Sequence, residues 1–426
     1  MVNNKKSSSE KKKALKAQKN LNAENLDRLK RLSDALASLD DKGTLSINNN
    51  VGNNCNDDIE RIIGLSLGHW RDLDDETKYA YKMLNDGAEL IKATSTKYTL
   101  VGKINVDDGS KFSEDLRQGC ELISTAALLV HQPSIGCSRS LRKYVKQHAR
   151  GLVTSVMNLI ESFESLIALE KNFGAQNTGV VWSRCDEILT KLPKGNRAAM
   201  RREMFTWVGD CNESMQEFQE IVDLGPTNAS TAEKEASDSS TWDNFCDNIG
   251  TGEQYTDQEM DIAKSCVKVM KCSRGILNLM MKACECAGNH ASSLIEEEEN
   301  KVQSKAIYQW ISNGHEMARI VGENVTEIGM CLYPPLNLTL SDVESGASNI
   351  EGKWIQTEIG LKILRQSAAI KAVASYVHDH IASVNEHESI SIQMSDEVLE
   401  MATVLLAAVD ARKEETRSAI STAIDS

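Results

Sequence analysis

The chain has 426 residues, of which 41% are hydrophobic and only 5% aromatic, with five prolines and a formal net charge of -14. That length allows two or three domains with buried cores, and little proline beside much Ala, Leu, Glu and Lys favours helices over a β-sandwich. The acidic balance opposes contact with nucleic acid and anionic lipid unless a local basic patch overrides it, so direct nucleic-acid binding is not expected.

Residues 1–19 form a basic tail, with Lys5, Lys6, Lys11, Lys12, Lys13, Lys16 and Lys19 among serines. The pattern predicts a disordered, solvated tail, with a nuclear localisation signal as the sharper alternative. Leu26, Leu29, Leu32, Leu36 and Leu39 mark an amphipathic helix. Its heptads extended backward place Gln18, Asn22 and Asn25 on the seam, too few good heptads for a coiled coil, so a bundle helix is expected. A polar loop follows around Asn48–Asn54. The segment from Asp57 to about Tyr98 is predicted helical with breaks near Gly64 and Gly68, and Trp70, Leu73, Tyr79, Tyr81, Leu84, Leu90 and Ile91 supply its apolar side. After a loop over Gly102–Gly109, Ser113, Leu116, Cys120, Ile123, Ala127 and Val130 give another helix, ended by Pro133.

The longest clean stripe opens near Ser138 and runs through Leu141, Val145, His148, Leu152, Val156, Leu159, Phe163, Leu166 and Ile167. Its first turns carry Arg139, Arg142, Lys143, Lys146 and Arg150. Positive charge at a helix N-terminus opposes the macrodipole, so these residues are not there to stabilise the helix. A solvated face, or a dock for an acidic segment, is expected over a DNA-contacting region.

Residues 180–222 predict a helix, a tight turn and a second helix. Val181, Trp182, Cys185, Ile188, Leu189 and Leu192 fall on one face of the first. Met200, Met204, Trp207, Val208, Cys211, Met215, Phe218 and Val222 fall on one face of the second. Pro193-Lys194-Gly195 stops the first helix and Asn196 is a favourable N-cap for the second. So short a turn implies antiparallel neighbours packed on each other, with Trp182, Cys185, Leu189, Pro193, Met204, Trp207 and Phe218 as the hairpin core.

Composition then changes. Residues 225–255 are small, polar and acidic, broken by Trp242 and Phe245, and mark a domain boundary. A second helical set begins at Thr256, where Glu259 completes a capping box. Its apolar face holds Ile262, Cys266, Val269, Met270, Ile276, Leu277, Met280 and Cys284. The acidic run Glu296–Glu299 opens the next helix, which runs through Trp310, Met317, Val321 and Ile328 to Leu332 and ends at Tyr333-Pro334-Pro335-Leu336. Trp354 to about Val384 and Met394 to about Ile424 are the last two helices. No strand is convincing, and no repeat of solenoid period is present.

No constellation of catalytic or cofactor-binding groups emerges. His315-Glu316-Met317-Ala318-Arg319 begins like a zinc-protease helix, but Arg319 stands where the second His ligand belongs. His378 and His380 would point about 200° apart on a helix, and Cys284-Glu285-Cys286 has neither zinc nor redox spacing. We expect no enzyme, no cofactor, no metal and no small-molecule substrate. The 11 cysteines lie mostly on apolar faces, and Cys185, Cys211 and Cys266 read as small buried hydrophobes. With no secretory signal and no apolar run of ~18 residues to span a bilayer, a reducing compartment with free thiols is expected. The glycosylation sequons at Asn228, Asn324 and Asn337 then carry no weight.

The order of elements resembles the cyclin-D-binding protein family, also known as Grap2 and cyclin-D-interacting protein. The resemblance is carried by Leu141-Arg142-Lys143-Tyr144-Val145, Val181-Trp182-Ser183-Arg184-Cys185, Leu192-Pro193 and Asn196-Arg197-Ala198-Ala199. An acidic linker and Leu332-Tyr333-Pro334-Pro335-Leu336-Asn337-Leu338-Thr339 continue it, so that it spans about Phe112 to Leu340. The resemblance implies an all-helical, non-enzymatic protein that binds D-type cyclins and helix–loop–helix transcription factors, in cytoplasm and nucleus. Its helix–loop–helix label would fall on the central hairpin. A Leu-x-Cys-x-Glu motif is absent, and Lys30-Arg31-Leu32 and Arg71-Asp72-Leu73 resemble short cyclin-docking tripeptides, which arise readily by chance.

The whole predicts an all-α chain of two packed antiparallel helical bundles joined by an acidic linker: a basic tail at 1–19, an N-terminal bundle at 20–224, the linker at 225–255 and a C-terminal bundle at 256–426. Its expected role is negative regulation of the cell cycle or transcription through protein partners. The alternative is a cytoskeletal or adhesion scaffold of the talin and vinculin kind. The hairpin's apolar face can pack its own bundle or a partner, not both, so partner contact is expected on outer surfaces: the strip Arg139, Arg142, Lys143, Lys146 and Arg150, and Arg197, Arg201 and Arg202.

Overall fold

The computed structural model describes residues 8–39, 75–101, 106–132, 135, 137–164, 173–226, 255–294, 300–340, 352–384 and 388–425. The Asn-rich loop, Trp70, Leu73, Arg71-Asp72-Leu73, Pro133, Glu296–Glu299 and most of the acidic segment lie outside them. Among the described residues there are ten α-helices and one two-stranded hairpin, so the fold is all-α as predicted. The chain divides into two compact units, residues 1–200 and 201–426.

The first unit is built from α1 (Ser8–Ser38), α2 (Asp75–Val101), α3 (Val106–His131), α4 (Arg139–Glu164) and α5 (Phe173–Asp186). α3 packs against α1, α2 and α4, while α5 packs against α2 and α4. The apolar stripes read from the sequence meet in one core: Leu29 and Leu36 of α1, Leu84 and Ile91 of α2, Leu116, Cys120 and Ile123 of α3, Leu141, Val145, Leu152 and Leu159 of α4, and Val181 and Cys185 of α5. α2 and α3 approach closely at Gly87 and Gly119. A Cβ on Gly119 would lie 2.5 Å from Ile91 Cγ1.

Three boundaries differ from the sequence reading. Ser8–Lys19 are not a disordered tail but the first turns of α1, in keeping with the helix propensity of their Lys, Ala and Leu residues. α3 starts at Val106, so Gly109 is helical and buried rather than in a loop. α5 ends in a π-turn, Glu187–Lys191, before Leu192 becomes extended. The opening of α4 is as read: Ser138 Oγ accepts the Leu141 N–H at 3.2 Å.

The second unit contains α7 (Asp257–Leu294), α8 (Lys301–Leu332), α9 (Glu358–Asp379) and α10 (Asp396–Asp425). α7 contacts each of the other three, and α9 lies between α8 and α10. Its capping box forms as the sequence predicts, with Thr256 N–H donating to Glu259 Oε2 at 2.8 Å and Glu259 N–H to Thr256 Oγ1 at 3.3 Å. In the interior, Gln366 of α9 donates to Ser273 Oγ of α7 at 2.8 Å and to the Val321 carbonyl of α8 at 3.0 Å, joining three helices. Trp310 stacks on Tyr376 with ring centroids 4.8 Å apart. Lys371–Asp410, Lys268–Glu415 and Lys282–Glu397 pair α10 with α9 and α7.

The sequence missed two short elements. Lys353–Gln356 is a 3-10 turn, and Thr357 then caps α9 by accepting the Gly360 N–H. α9 ends at His380, which adopts a left-handed conformation (φ 39°) and turns the chain into β1 (Ile381–Ser383), paired antiparallel with β2 (Ser389–Ser391).

In sequence α6 (Asn196–Asp223) comes between the two sets, and the unit boundary falls within it. Ala199 belongs to the first unit's core. Beyond Met200 the helix belongs to the second unit, where Trp207 lies on Gly322 of α8 and Phe218 meets Tyr333 edge-on, centroids 5.2 Å apart. The compact units therefore divide at 200/201, ahead of the acidic segment at 225–255.

Candidate protein-interaction surface

Each residue of the basic strip has a defined place on α4. Lys143 and Arg150 are exposed, whereas Arg139, Arg142 and Lys146 are half-buried. Lys146 Nζ donates to the Leu39 carbonyl at 2.6 Å, just beyond the end of α1. A cation there complements the negative end of the α1 dipole, so this member of the strip serves the chain itself. Beside the strip, Arg184 pairs with Glu187 at 2.8 Å and His148 lies 3.7 Å from the same carboxylate. Burial opposes ionisation of Glu187, yet Arg184, His148 and Lys191 together hold its carboxyl below the usual range.

Tyr81 of α2 fixes the turn between α5 and α6. Its hydroxyl donates to the Pro193 carbonyl and accepts the Gly195 N–H at 3.2 Å. Burial pushes the Tyr81 hydroxyl's pKa well above its ordinary value, keeping it a donor. Gly195 has φ 94°, a conformation glycine adopts without a Cβ penalty. Asn196 Oδ1 accepts the Ser138 N–H at 2.6 Å and so ties this turn to the start of α4.

Arg197, Arg201 and Arg202 are all exposed on α6. Arg201 lies 3.9 Å from Glu285, and its guanidinium sits 5.4 Å above the ring of Phe205. Phe205 is 48% exposed, and sequence reasoning passed over it. Its i, i+4 register with Arg201 was the available signal: the two form a cationic and aromatic pair on α6.

The hairpin core is redistributed. Cys185 and Pro193 are buried, Leu189 is half-buried, and burial pushes the Cys185 thiol up to about 12. Trp182 is not core: it is 40% exposed. At about 100° per residue it stands about a quarter turn from the middle of the buried line of Val181, Cys185 and Ile188. Met204, Trp207 and Phe218 are buried as expected, but in the second unit. Trp207 also meets His315, centroids 5.2 Å apart. His315 lies 3.7 Å from Glu203, and both are buried. Arg319 pairs with Glu316 and Glu323.

The Tyr-Pro-Pro turn after α8 is held at three points. Tyr255 donates to the Leu332 carbonyl, Glu259 Oε1 accepts the Leu336 N–H at 2.7 Å, and Tyr333 donates to Glu217 of α6 at 2.6 Å. The turn thereby links the C-terminal half of α6 to the capping box of α7.

Among the described residues no group of three or more His, Cys, Asp or Glu could hold a metal ion, and no helix is long and apolar enough to cross a membrane. The nine described cysteines are free thiols. His380 Nδ1 lies 2.6 Å from the His378 carbonyl, a contact internal to the α9 terminus; His387 lies outside the described residues.

Comparison with known families finds a match. Residues 83–224 fit the family described as Grap2 and cyclin-D-interacting, N-terminal. The segment runs from Met83 in α2 to the residue after α6, and contains the basic strip, the Tyr81-adjacent turn and the three α6 arginines. The resemblance read from Leu141–Val145, Val181–Cys185 and Asn196–Ala199 is thus borne out over this segment. The Leu332–Thr339 piece lies beyond it. No curated protein matches the chain.

Proposed function

We propose that this chain, whose residues 83–224 are similar to the N-terminal domain of Grap2 and cyclin-D-interacting proteins, is a non-enzymatic regulatory interaction protein. It binds D-type cyclins, helix–loop–helix transcription factors or both, restrains cell-cycle progression or transcription, and works in cytoplasm and nucleus. The observation that carries this reading is the family match over 83–224. It gives protein partners; the choice of partner, the regulatory direction and the location are our inference from the resemblance.

The buried state of Met204, Trp207, Cys211, Met215, Phe218 and Val222 supports contact through outer surfaces. Exposing six such side chains to pair with a foreign helix would cost on the order of 10 kcal/mol at ~1.5–3 kcal/mol each. Arg197, Arg201 and Arg202 are exposed on α6, so contact through them does not require that loss. The test is a pull-down from native cells, followed by affinity measurement on a variant with Arg197, Arg201 and Arg202 reversed to Glu. Loss of cyclin or helix–loop–helix factor binding with an unchanged melting curve is expected. Intact binding in the variant would rule these arginines out. A rise of amide exchange across residues 256–384 on partner addition would show instead that the inner face is used. Recovery of actin or adhesion proteins without cyclins or transcription factors would replace the regulatory reading by the scaffold one.

A further inference from the structure

The two compact units differ in charge. Residues 1–200 carry 30 Lys and Arg against 25 Asp and Glu, a net +5, whereas residues 201–426 carry 18 against 37, a net -19. Within the second unit much of this excess is answered locally. Glu316 and Glu323 pair with Arg319, Glu327 and Glu358 with Lys362, Asp410 with Lys371 and Glu415 with Lys268. The outer face of α6 is different. Asp210, Glu213, Glu217 and Glu220 follow i, i+3, i+7, i+10 spacing, a line about 15 Å long at ~1.5 Å per residue, and Leu224 continues it. Glu213, Glu217 and Glu220 are exposed and Asp210 is half-buried. The partners these carboxylates have among the described residues are neutral: Gln216 donates to Glu220 at 2.9 Å and Tyr333 to Glu217 at 2.6 Å. Asp223, beside the line, accepts from Gln219 at 2.9 Å. Burial and the neighbouring Glu213 carboxylate push the Asp210 carboxyl above its ordinary range.

This face also carries apolar surface. Phe218 of α6 lies 3.4 Å from where a Cβ on Gly329 of α8 would stand, so the end of α8 runs close beside the line. There Met330 is 63% exposed and Tyr333 49%, and Leu224 at the end of the line is 70% exposed. Methionine and tyrosine are the side chains that docking surfaces favour, because they give large contact area to partners of varied shape. The patch falls inside the family match, whose last residues are those of this line. Residues 227–254, which follow α6, hold six Asp and Glu against one Lys, so their charge opposes covering it.

We propose that the outer face of α6, beside the end of α8, docks a Lys- and Arg-rich amphipathic helix of a protein partner. This rests on the reading of the chain as a regulatory interaction protein and names the partner segment it takes. The occupant's charge follows from the four carboxylates of the line, whose printed partners leave their charge unneutralised, and its shape from their spacing. A helix laid along α6 with cations at i, i+3, i+7 and i+10 meets all four, and an aliphatic residue one turn beyond meets Leu224, Met330 and Tyr333. An acidic helix is repelled by the same row. In a basic helix–loop–helix factor the segment with this chemistry is the basic helix that enters the DNA major groove. Seated on α6, that helix is withheld from DNA, which supplies a physical route to the proposed restraint of transcription.

The probe is a fluorescein-labelled helical peptide with Lys at i, i+3, i+7 and i+10 and Leu at i+14, followed by anisotropy against the full chain. Wild type should bind it, and should not bind the control peptide with Glu in place of Lys. Raising NaCl from about 50 to 300 mM should weaken binding at least tenfold. The variant Glu213→Lys/Glu220→Lys/Asp223→Lys should lose at least tenfold in affinity with an unchanged melting curve. If it melts early, the milder Glu213→Gln/Glu220→Gln/Asp223→Asn must still lose at least threefold. Met330→Ser/Leu224→Ser should lose at least threefold at both salt concentrations. The comparison variant Glu397→Lys/Glu400→Lys/Glu414→Lys reverses three exposed carboxylates of α10, which packs on α7 and α9, and should bind as wild type does. Equal losses in the α6 and α10 variants would reduce the effect to the general charge of the unit and overturn the proposal, as would no binding by wild type. If Lys5→Gln/Lys6→Gln/Lys11→Gln/Lys12→Gln/Lys13→Gln tightened peptide binding tenfold, the chain's own lysines would be the occupant, which also overturns it. A helix–loop–helix factor that binds wild type and the α6 variant alike overturns the site and leaves the functional reading standing. One that binds no form of the chain refutes that reading and leaves the peptide result standing.

Discussion

Replacing Gly322 and Gly209 separately by alanine puts the seating of α6 on α8 to a quantitative test. Both glycines lie inside helices, so each substitution gains about 1 kcal/mol in helix propensity. At Gly209 nothing stands within 4 Å of the added methyl, and the gain is kept. At Gly322 the methyl would lie 2.5 Å from Trp207 Cγ and 2.7 Å from its Cβ. These are the atoms that fasten the indole to α6, so relief requires shifting a helix rather than rotating a side-chain tip. Such overpacking costs about 1–3 kcal/mol and sometimes more, so Gly322→Ala should be neutral to destabilising by ~2 kcal/mol. The two variants should therefore differ by roughly 1–3 kcal/mol, or several degrees in Tm at ~2–4 °C per kcal/mol for a unit of this size. Intrinsic fluorescence is a suitable probe, because Trp207, Trp310 and Trp354 are all buried in the second unit. Gly322→Ala stabilising the protein as much as Gly209→Ala would refute the packing argument. So would a penalty that persists in a Trp207→Ala background, where the obstructing ring is gone.

Three further outcomes follow from named hydrogen bonds. Tyr81→Phe leaves the Pro193 carbonyl and Gly195 N–H without their shared partner and should destabilise the first unit by about 1–3 kcal/mol in urea titration. Thr256→Ala removes one half of the capping box and should cost about 1 kcal/mol, whereas Glu259→Ala also orphans the Leu336 N–H and should cost measurably more in the same assay. His290 accepts the Gln393 N–H at 3.2 Å, and burial holds its pKa below the ordinary value of 6.5. The unfolded chain then takes up this proton first, so stability is complete above pH 6.5 and declines as pH falls below it. His290→Gln should flatten that decline when melting temperatures are compared between pH 7 and 5; identical pH profiles would remove His290 as its source.

Much of this architecture was legible in the sequence because helix faces repeat. The line Met200, Met204, Cys211, Met215, Phe218 and Val222 is buried as its spacing requires, and the Thr256–Glu259 box forms at the predicted residues. Periodicity says which face is buried, but not against what. The short Pro193–Asn196 turn suggested that its two helices pack on each other, yet a positive φ at Gly195 and an extended Leu192 let the chain leave α5, and α6 finds its packing in the second unit. Trp182 was misplaced because large apolar character was given more weight than its angle. The strands beside His380 are three residues each, too short for alternation to register. Of the candidate surface, the arginines were visible as charge, but Lys146 at the end of α1 depended on a contact 107 residues apart in sequence.

The position of α6 bears on how fragments of this protein behave. A fragment cut at Leu224, where the family segment ends, would carry Met204, Trp207, Cys211, Met215, Phe218 and Val222 without α8 to receive them. That helix would be an adhesive strip, prone to self-association and to capture of any amphipathic partner offered. Two-hybrid or pull-down signals from such a fragment would report a face the intact chain keeps inside. Partner maps drawn from fragments and from the whole chain should therefore disagree first at α6.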